Sequence, residues 1–141
     1  MMKIKLIILL WLCAIQAPLL HSECILIVSK ESSITKVNST ELKRFFYGRT
    51  KMISGEKFTF VVQKSTNEIH VNFLHKFLNR TTQQFSKVWK KLIFTGKARN
   101  PKTLDSDEQV IEYISKNKNC IGYIDSKNLK DNIKKFEVEE N

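Results

Sequence analysis

The stretch FTFVVQKSTNEIHVNFLHKFL, Phe58 to Leu78, changes its hydrophobic period part-way along. Its first residues read as a strand ending near Val62, after which apolar residues at Ile69, Phe73, Leu74 and Phe77 follow the spacing of an amphipathic helix. Between them lies a polar turn, Gln63-Lys64-Ser65-Thr66-Asn67. A turn in that position aims unpaired helix-start N–H groups and the positive end of the helix dipole above the strand, which suits an anion or ligand. The bland reading is that Ser65, Thr66 and Asn67 simply cap the helix.

Upstream, Cys24 to Ser29 (CILIVS) is almost wholly apolar and β-branched, as expected of a central strand covered on both faces. The polar loop Lys30-Glu31-Ser32-Ser33 follows. Asn38-Ser39-Thr40 then supplies cap residues for a helix over Glu41 to Tyr47 that stops at Gly48 and buries Leu42, Phe45 and Phe46. A turn at Ser54-Gly55 leads into the second strand, Lys57 to Gln63.

Downstream, Asn79-Arg80-Thr81-Thr82 reads as a break with a fresh cap. The next helix has the clearest period in the chain, with Phe85, Val88, Trp89, Leu92 and Ile93 on one face, and it closes at Gly96. Trp89 shares that face and reads as core. Ser106 and Gln109 stand at capping-box spacing before a helix burying Val110, Ile111 and Ile114. Ile121 to Ile124 forms a third strand, with Gly122 serving close packing and Tyr123 spanning core and surface, and Ile133 to Val138 adds a fourth.

This order predicts an α/β layered fold, a mostly parallel sheet of about four strands with helices on both faces. Ligands in such folds lie beyond the carboxyl ends of strands. That rule singles out Ser29 to Ser33, Gln63 to Asn67, and Tyr123 to Ser126.

The first residues read as a secretory signal: Lys3 and Lys5 precede an apolar run, Leu6 to Ile15, that is too short to span a bilayer. Cleavage is expected after Ser22, leaving a single domain over residues 23–141, periplasmic or secreted, with no stable membrane insertion. Losing Lys3 and Lys5 lowers the formal charge from +10 to +8. The lysines are spread along the chain and the aromatics fall at buried helix positions, so nucleic acid is not an expected partner. A solvated basic surface is the plain reading, and attraction of small anions or of an anionic envelope surface the functional one. Cys24 and Cys120 remain after cleavage, an even count compatible with one disulfide in an oxidising compartment.

Catalytic and metal chemistry find no support. His70 and His75, five apart, fall on different sides of a helix, and no closely spaced cysteines make a zinc site. His70 reads as a partly exposed helix residue. The chain lacks a Gly-x-Ser-x-Gly elbow and a glycine-rich phosphate loop. A protein without enzymatic activity, metal or cofactor is expected.

CILIVSKESSI, STELKRFFYGR, FTFVVQKSTNEIHVNFLHKFL, VWKKLIFTGKARNP, DEQVIEYI and NCIGYID, taken in order, resemble the short exported relatives of phosphate ABC transporter substrate-binding proteins, which are periplasmic-binding-protein-like, type 2. ELKRFFYGR and IGYID are the more specific marks. The resemblance implies a bacterial binding module, with a phosphate-like small anion as ligand and an ABC permease or another envelope protein as partner. In full-length phosphate binders the turn resembles Arg-Ser-Asp-Gly-Ser-Gly-Thr, whose glycines let backbone amides approach the anion. Here Gln63 to Glu68 keeps Ser65 and a cation at Lys64 and lacks the glycines, the Arg and the Asp. The ligand set implied is Ser32 and Ser33 from the first loop with Lys64, Ser65, Thr66 and Asn67 from the second. Full-length binders close two lobes on their ligand, and this chain has the size of about half of one. The alternative is a domain that has kept the fold and lost the ligand, acting as a protein–protein interaction module in the envelope.

Overall fold

The computed structural model describes residues 23–141, so the proposed signal segment, residues 1–22, lies outside the described residues. A six-stranded sheet forms the centre, flanked by four α-helices. The strands are β1 (Cys24–Ser29), β2 (Lys36–Asn38), β5 (Thr59–Gln63), β6 (Lys102–Leu104), β7 (Cys120–Asp125) and β8 (Ile133–Glu139), in the spatial order β2-β8-β1-β7-β5-β6. A small hairpin of β3 (Met52–Ile53) and β4 (Glu56–Lys57) turns at Ser54-Gly55. The helices are α1 (Ser39–Phe46), α2 (Glu68–Phe73), α3 (Thr82–Phe94) and α4 (Asp107–Lys116), and α2 continues as a π-helical turn over Leu74–Leu78.

The α/β layered class holds, with six strands where about four were expected. Short β2 and β6 lacked a readable alternation, and they join the two edges of the sheet by parallel pairing. β1 is central, but it runs antiparallel to both neighbours, β7 and β8. β7, β5 and β6 are mutually parallel.

Side chains along β1 alternate between two cores, as the two-residue period requires. Cys24, Leu26 and Val28 face a large cluster with Leu42, Phe45 and Phe46 of α1, Phe73 of α2, and Phe85 and Trp89 of α3. Ile25 and Ile27 face a smaller one, roofed by Val110, Ile111 and Ile114 of α4. Three helices thus cover one face and one helix covers the other. Trp89 is core, as read, and its indole N–H donates to the Phe46 carbonyl at 3.0 Å. The Tyr123 ring stacks on Phe73 with centroids 4.0 Å apart.

Helix starts follow their cap residues. Asn38 accepts from Thr40 N at 2.8 Å, and Thr81 and Gln84 close a full capping box at α3. At α4 the box is modified: Ser106 Oγ accepts from Gln109 N, whereas Gln109 Oε1 accepts from Asp105 N. Gly122 lets α4 approach β7, because a Cβ there would meet Val110 Cγ1 at 2.8 Å.

Cys24 and Cys120, whose even count is compatible with one disulfide, are both free and buried in the structure. The register explains this. Cys24 pairs opposite Asp125, five residues along β7 from Cys120, which is about 17 Å at the rise of a strand. The two thiols also face different cores.

Candidate functional site

β5 and β7 run parallel, so Gln63 and Asp125 end at the same edge of the sheet. The starts of α2 and α4 sit above that edge. Together they line an open cleft of about 450 Å³, bounded by Gln63, Thr66, Asn67, Asp107, Asp125 and Asn128 among others.

The Asp107 carboxylate dominates this cleft. Its Oδ1 accepts from Gln63 Nε2 at 2.7 Å, and its Oδ2 accepts from Asp125 N at 3.0 Å and Asn128 Nδ2 at 2.7 Å. Donors from two strand ends and the following turn therefore converge on one anionic group supplied by the chain itself. At the first position of α4, the carboxylate also meets the positive end of the helix dipole.

Beneath it runs a buried polar chain. Tyr123 Oη accepts from Gln63 N at 2.7 Å and lies 2.5 Å from His70 Nδ1. Donor and acceptor in the His70–Tyr123 contact follow from the imidazole tautomer, because the phenol can both donate and accept. His70 is buried, contrary to the partly exposed position read from sequence, and burial pushes its pKa below the ordinary histidine value. Tyr123 is buried rather than bridging core and surface, and burial raises its phenol pKa.

The turn residues have structural partners. Lys64 Nζ pairs with Asp105 at 3.0 Å on the open surface. Asn67 precedes α2 without capping it by its side chain. Its Nδ2 instead donates to Gln63 Oε1 at 3.0 Å and the Asp105 carbonyl at 2.9 Å, bracing the end of β5 against the approach to α4. Ser65 and Thr66 are exposed, and Thr66 lines the cleft.

Ser32 and Ser33 do not join them. Because β1 is antiparallel to β7, and β7 parallel to β5, the loop after β1 leaves the sheet at the edge opposite Gln63. Ser32 is buried, with its Oγ accepting from Ile34 N, and Ser33 Oγ donates to Glu56 at 3.1 Å. The six-residue set expected from both loops is thus divided between two ends of the sheet. The expectation failed because rules about carboxyl ends presume parallel strands, and strand direction is invisible in β1 alone. The central residue of the cleft, Asp107, was legible only as an acidic residue after a cap. Its donors come from Gln63, Asp125 and Asn128, up to 44 positions away.

The fold is similar to that of several solved proteins described as phosphate-binding or phosphate-transport components. A protein from Clostridium perfringens assigned as a phosphate ABC transporter substrate-binding protein, solved with bound phosphate, superposes with a TM-score of 0.64 at 13% identity, over 83% of this chain and 45% of its own. The chain has the periplasmic-binding-protein-like fold. An ABC-type phosphate transport receptor from Vibrio cholerae matches with a TM-score of 0.60 at 11% identity, over 83% of this chain and 46% of the receptor. PstS from Borrelia burgdorferi matches with a TM-score of 0.63 at 20% identity, over 84% and 47%. The chain spans about half the length of these structures. No family model and no curated protein matches it.

Proposed function

We propose that residues 23–141 are an exported, non-enzymatic binding module that has kept the phosphate-receptor fold and given up free phosphate, and that it works by docking to an envelope protein such as an ABC permease. The single observation that carries this reading is the Asp107 carboxylate, which takes three donors at the strand-end cleft. Glu68, Glu108 and Asp125 line the same cleft, against one ammonium from Lys127. A unit negative charge held about 6 Å from one carboxylate is disfavoured by about 3 kcal/mol at an effective dielectric of about 20. Several such carboxylates outweigh what one exposed lysine returns. Residues 1–22 are the proposed export signal, consistent with the lysines and short apolar run at that end.

A second reading, capture of a phosphate-like anion by Lys64, Ser65, Thr66 and Asn67, is favoured by the likeness to a phosphate-bound structure. Calorimetry separates the two. No heat with millimolar phosphate or sulfate is expected from the wild-type protein, and micromolar phosphate affinity would overturn the docking reading. A photo-crosslinker at Thr66 in intact cells should yield an adduct with an envelope protein.

A further inference from the structure

From Ile69 to Leu104 the chain has no Asp or Glu and eight Lys or Arg residues. Folding concentrates part of this run on one surface. Phe85, Trp89 and Leu92 turn α3 toward the core, and at 100° per residue Phe94 points directly away from them, with Lys87, Lys90 and Lys91 beside it. All three lysines are exposed, and Phe94 is 93% exposed. Lys97 and Arg99 continue the patch just past the helix end. None of these five cations has an ion-pair partner among the described residues.

We propose that this face of α3 docks onto an anionic phospholipid surface, the lysines meeting headgroup phosphates and Phe94 entering the interfacial layer. A lone exposed aromatic needs no explanation by itself. Here it stands among the lysines of a run that holds no carboxylate, the arrangement that membrane-surface segments combine: cations for the anionic headgroups and one apolar group for the acyl boundary. An acidic protein partner fits less well, because protein interfaces are depleted of lysine at their core and this face has one apolar anchor ringed by three lysines. The proposal is independent of whether the strand-end cleft takes phosphate, since the two surfaces share no residue.

Flotation with vesicles tests it. The purified protein is expected to float with vesicles of mixed phosphatidylglycerol and phosphatidylcholine, to stay behind with phosphatidylcholine alone, and to be released at high salt. Lys87→Gln, Lys90→Gln and Lys91→Gln together should lower partitioning roughly a hundredfold, at about fivefold for each lysine. Phe94→Ser should lower it without changing the salt dependence. A charge-matched control, Lys57→Gln, Lys116→Gln and Lys130→Gln, should keep most of the binding. Equal loss in the control, equal binding to neutral vesicles, or retention by duplex DNA or an acidic protein with no vesicle binding would each overturn the proposal.

Discussion

His70 Nδ1 and Tyr123 Oη lie 2.5 Å apart, joining α2 to β7 through a buried hydrogen bond. Protonating the imidazole would place a charge in the core. Burial accordingly lowers the His70 pKa from the ordinary value of 6.5. Below that value the unfolded chain binds a proton that the folded chain refuses, so stability is fully present above about pH 6.5 and is lost as pH falls below it toward the folded pKa. The slope from this one group is at most about 1.4 kcal/mol per pH unit. Urea titrations between about pH 7.5 and 5.5 should show this loss in the wild type and a flatter profile in His70→Gln. Identical slopes would remove His70 as the cause.

Tyr123→Phe keeps the ring stacked on Phe73 and deletes only the hydroxyl. Gln63 N then loses its acceptor and His70 Nδ1 its hydrogen-bond partner, both in the core. The expected cost is about 1–3 kcal/mol by chemical denaturation. Tyr47→Phe, which removes a 3.3 Å bond to the Leu78 carbonyl at a half-buried site, should cost less. The reverse order would argue against the buried chain as a source of stability.

Asp107→Ala removes the bonds that Asp107 Oδ2 accepts from Asp125 N and Asn128 Nδ2, while Gln63 Nε2 retains the Tyr123 carbonyl at 3.1 Å. Destabilisation of about 1–3 kcal/mol is expected. Phosphate at millimolar concentration should raise the Tm of this variant and leave the wild type unchanged, since the variant lacks the carboxylate that repels an anion at this point. A wild-type response equal to that of the variant would show that Asp107 does not fill an anion seat.

Gly122→Ala forces a methyl group against Val110 Cγ1 at 2.8 Å and Val61 Cγ2 at 3.2 Å. Overpacking of this kind costs about 1–3 kcal/mol. Val110→Ala in the same chain should relieve part of it, so the double variant should lose less than the sum of the singles. Strict additivity would place the strain elsewhere.

Burial pushes the Cys24 thiol up to about 12 and the Cys120 thiol up to about 11. The thiolate is the reactive form, so neither should be alkylated in the folded protein at about pH 8. Unfolding in urea without reductant should expose both to iodoacetamide. A mass spectrum needing reductant before Cys24 and Cys120 are modified would restore the disulfide.

Much of the fold was legible because it depends on local pattern. Asn38 and Thr81 cap as their residue types predict, and Gly48 and Gly96 adopt positive φ after the helices they end. Leu42, Phe45, Phe46, Phe85 and Trp89 are buried where their spacing places them. The three-residue edge strands β2 and β6 were not legible, since an alternation of two or three residues carries no signal. Asn67 shows the limit for the site: its type predicts a cap, yet its amide braces two segments that the sequence keeps 38 residues apart.

The sequence by itself determined the longer helices and strands, most of their apolar faces, and that Phe58 to Leu78 passes from strand to turn to helix. Those properties follow from side-chain period and cap chemistry, which act over a few residues. Only the tertiary structure decided that β1 runs against β7, and with it the separation of Ser32 and Ser33 from Lys64 to Asn67 and of Cys24 from Cys120. It also brought Asp107 to the donors of Gln63, Asp125 and Asn128, and gathered the lysines of α3 around Phe94. Strand direction and the meeting of distant side chains depend on how the whole sheet assembles, and no short stretch of residues encodes them.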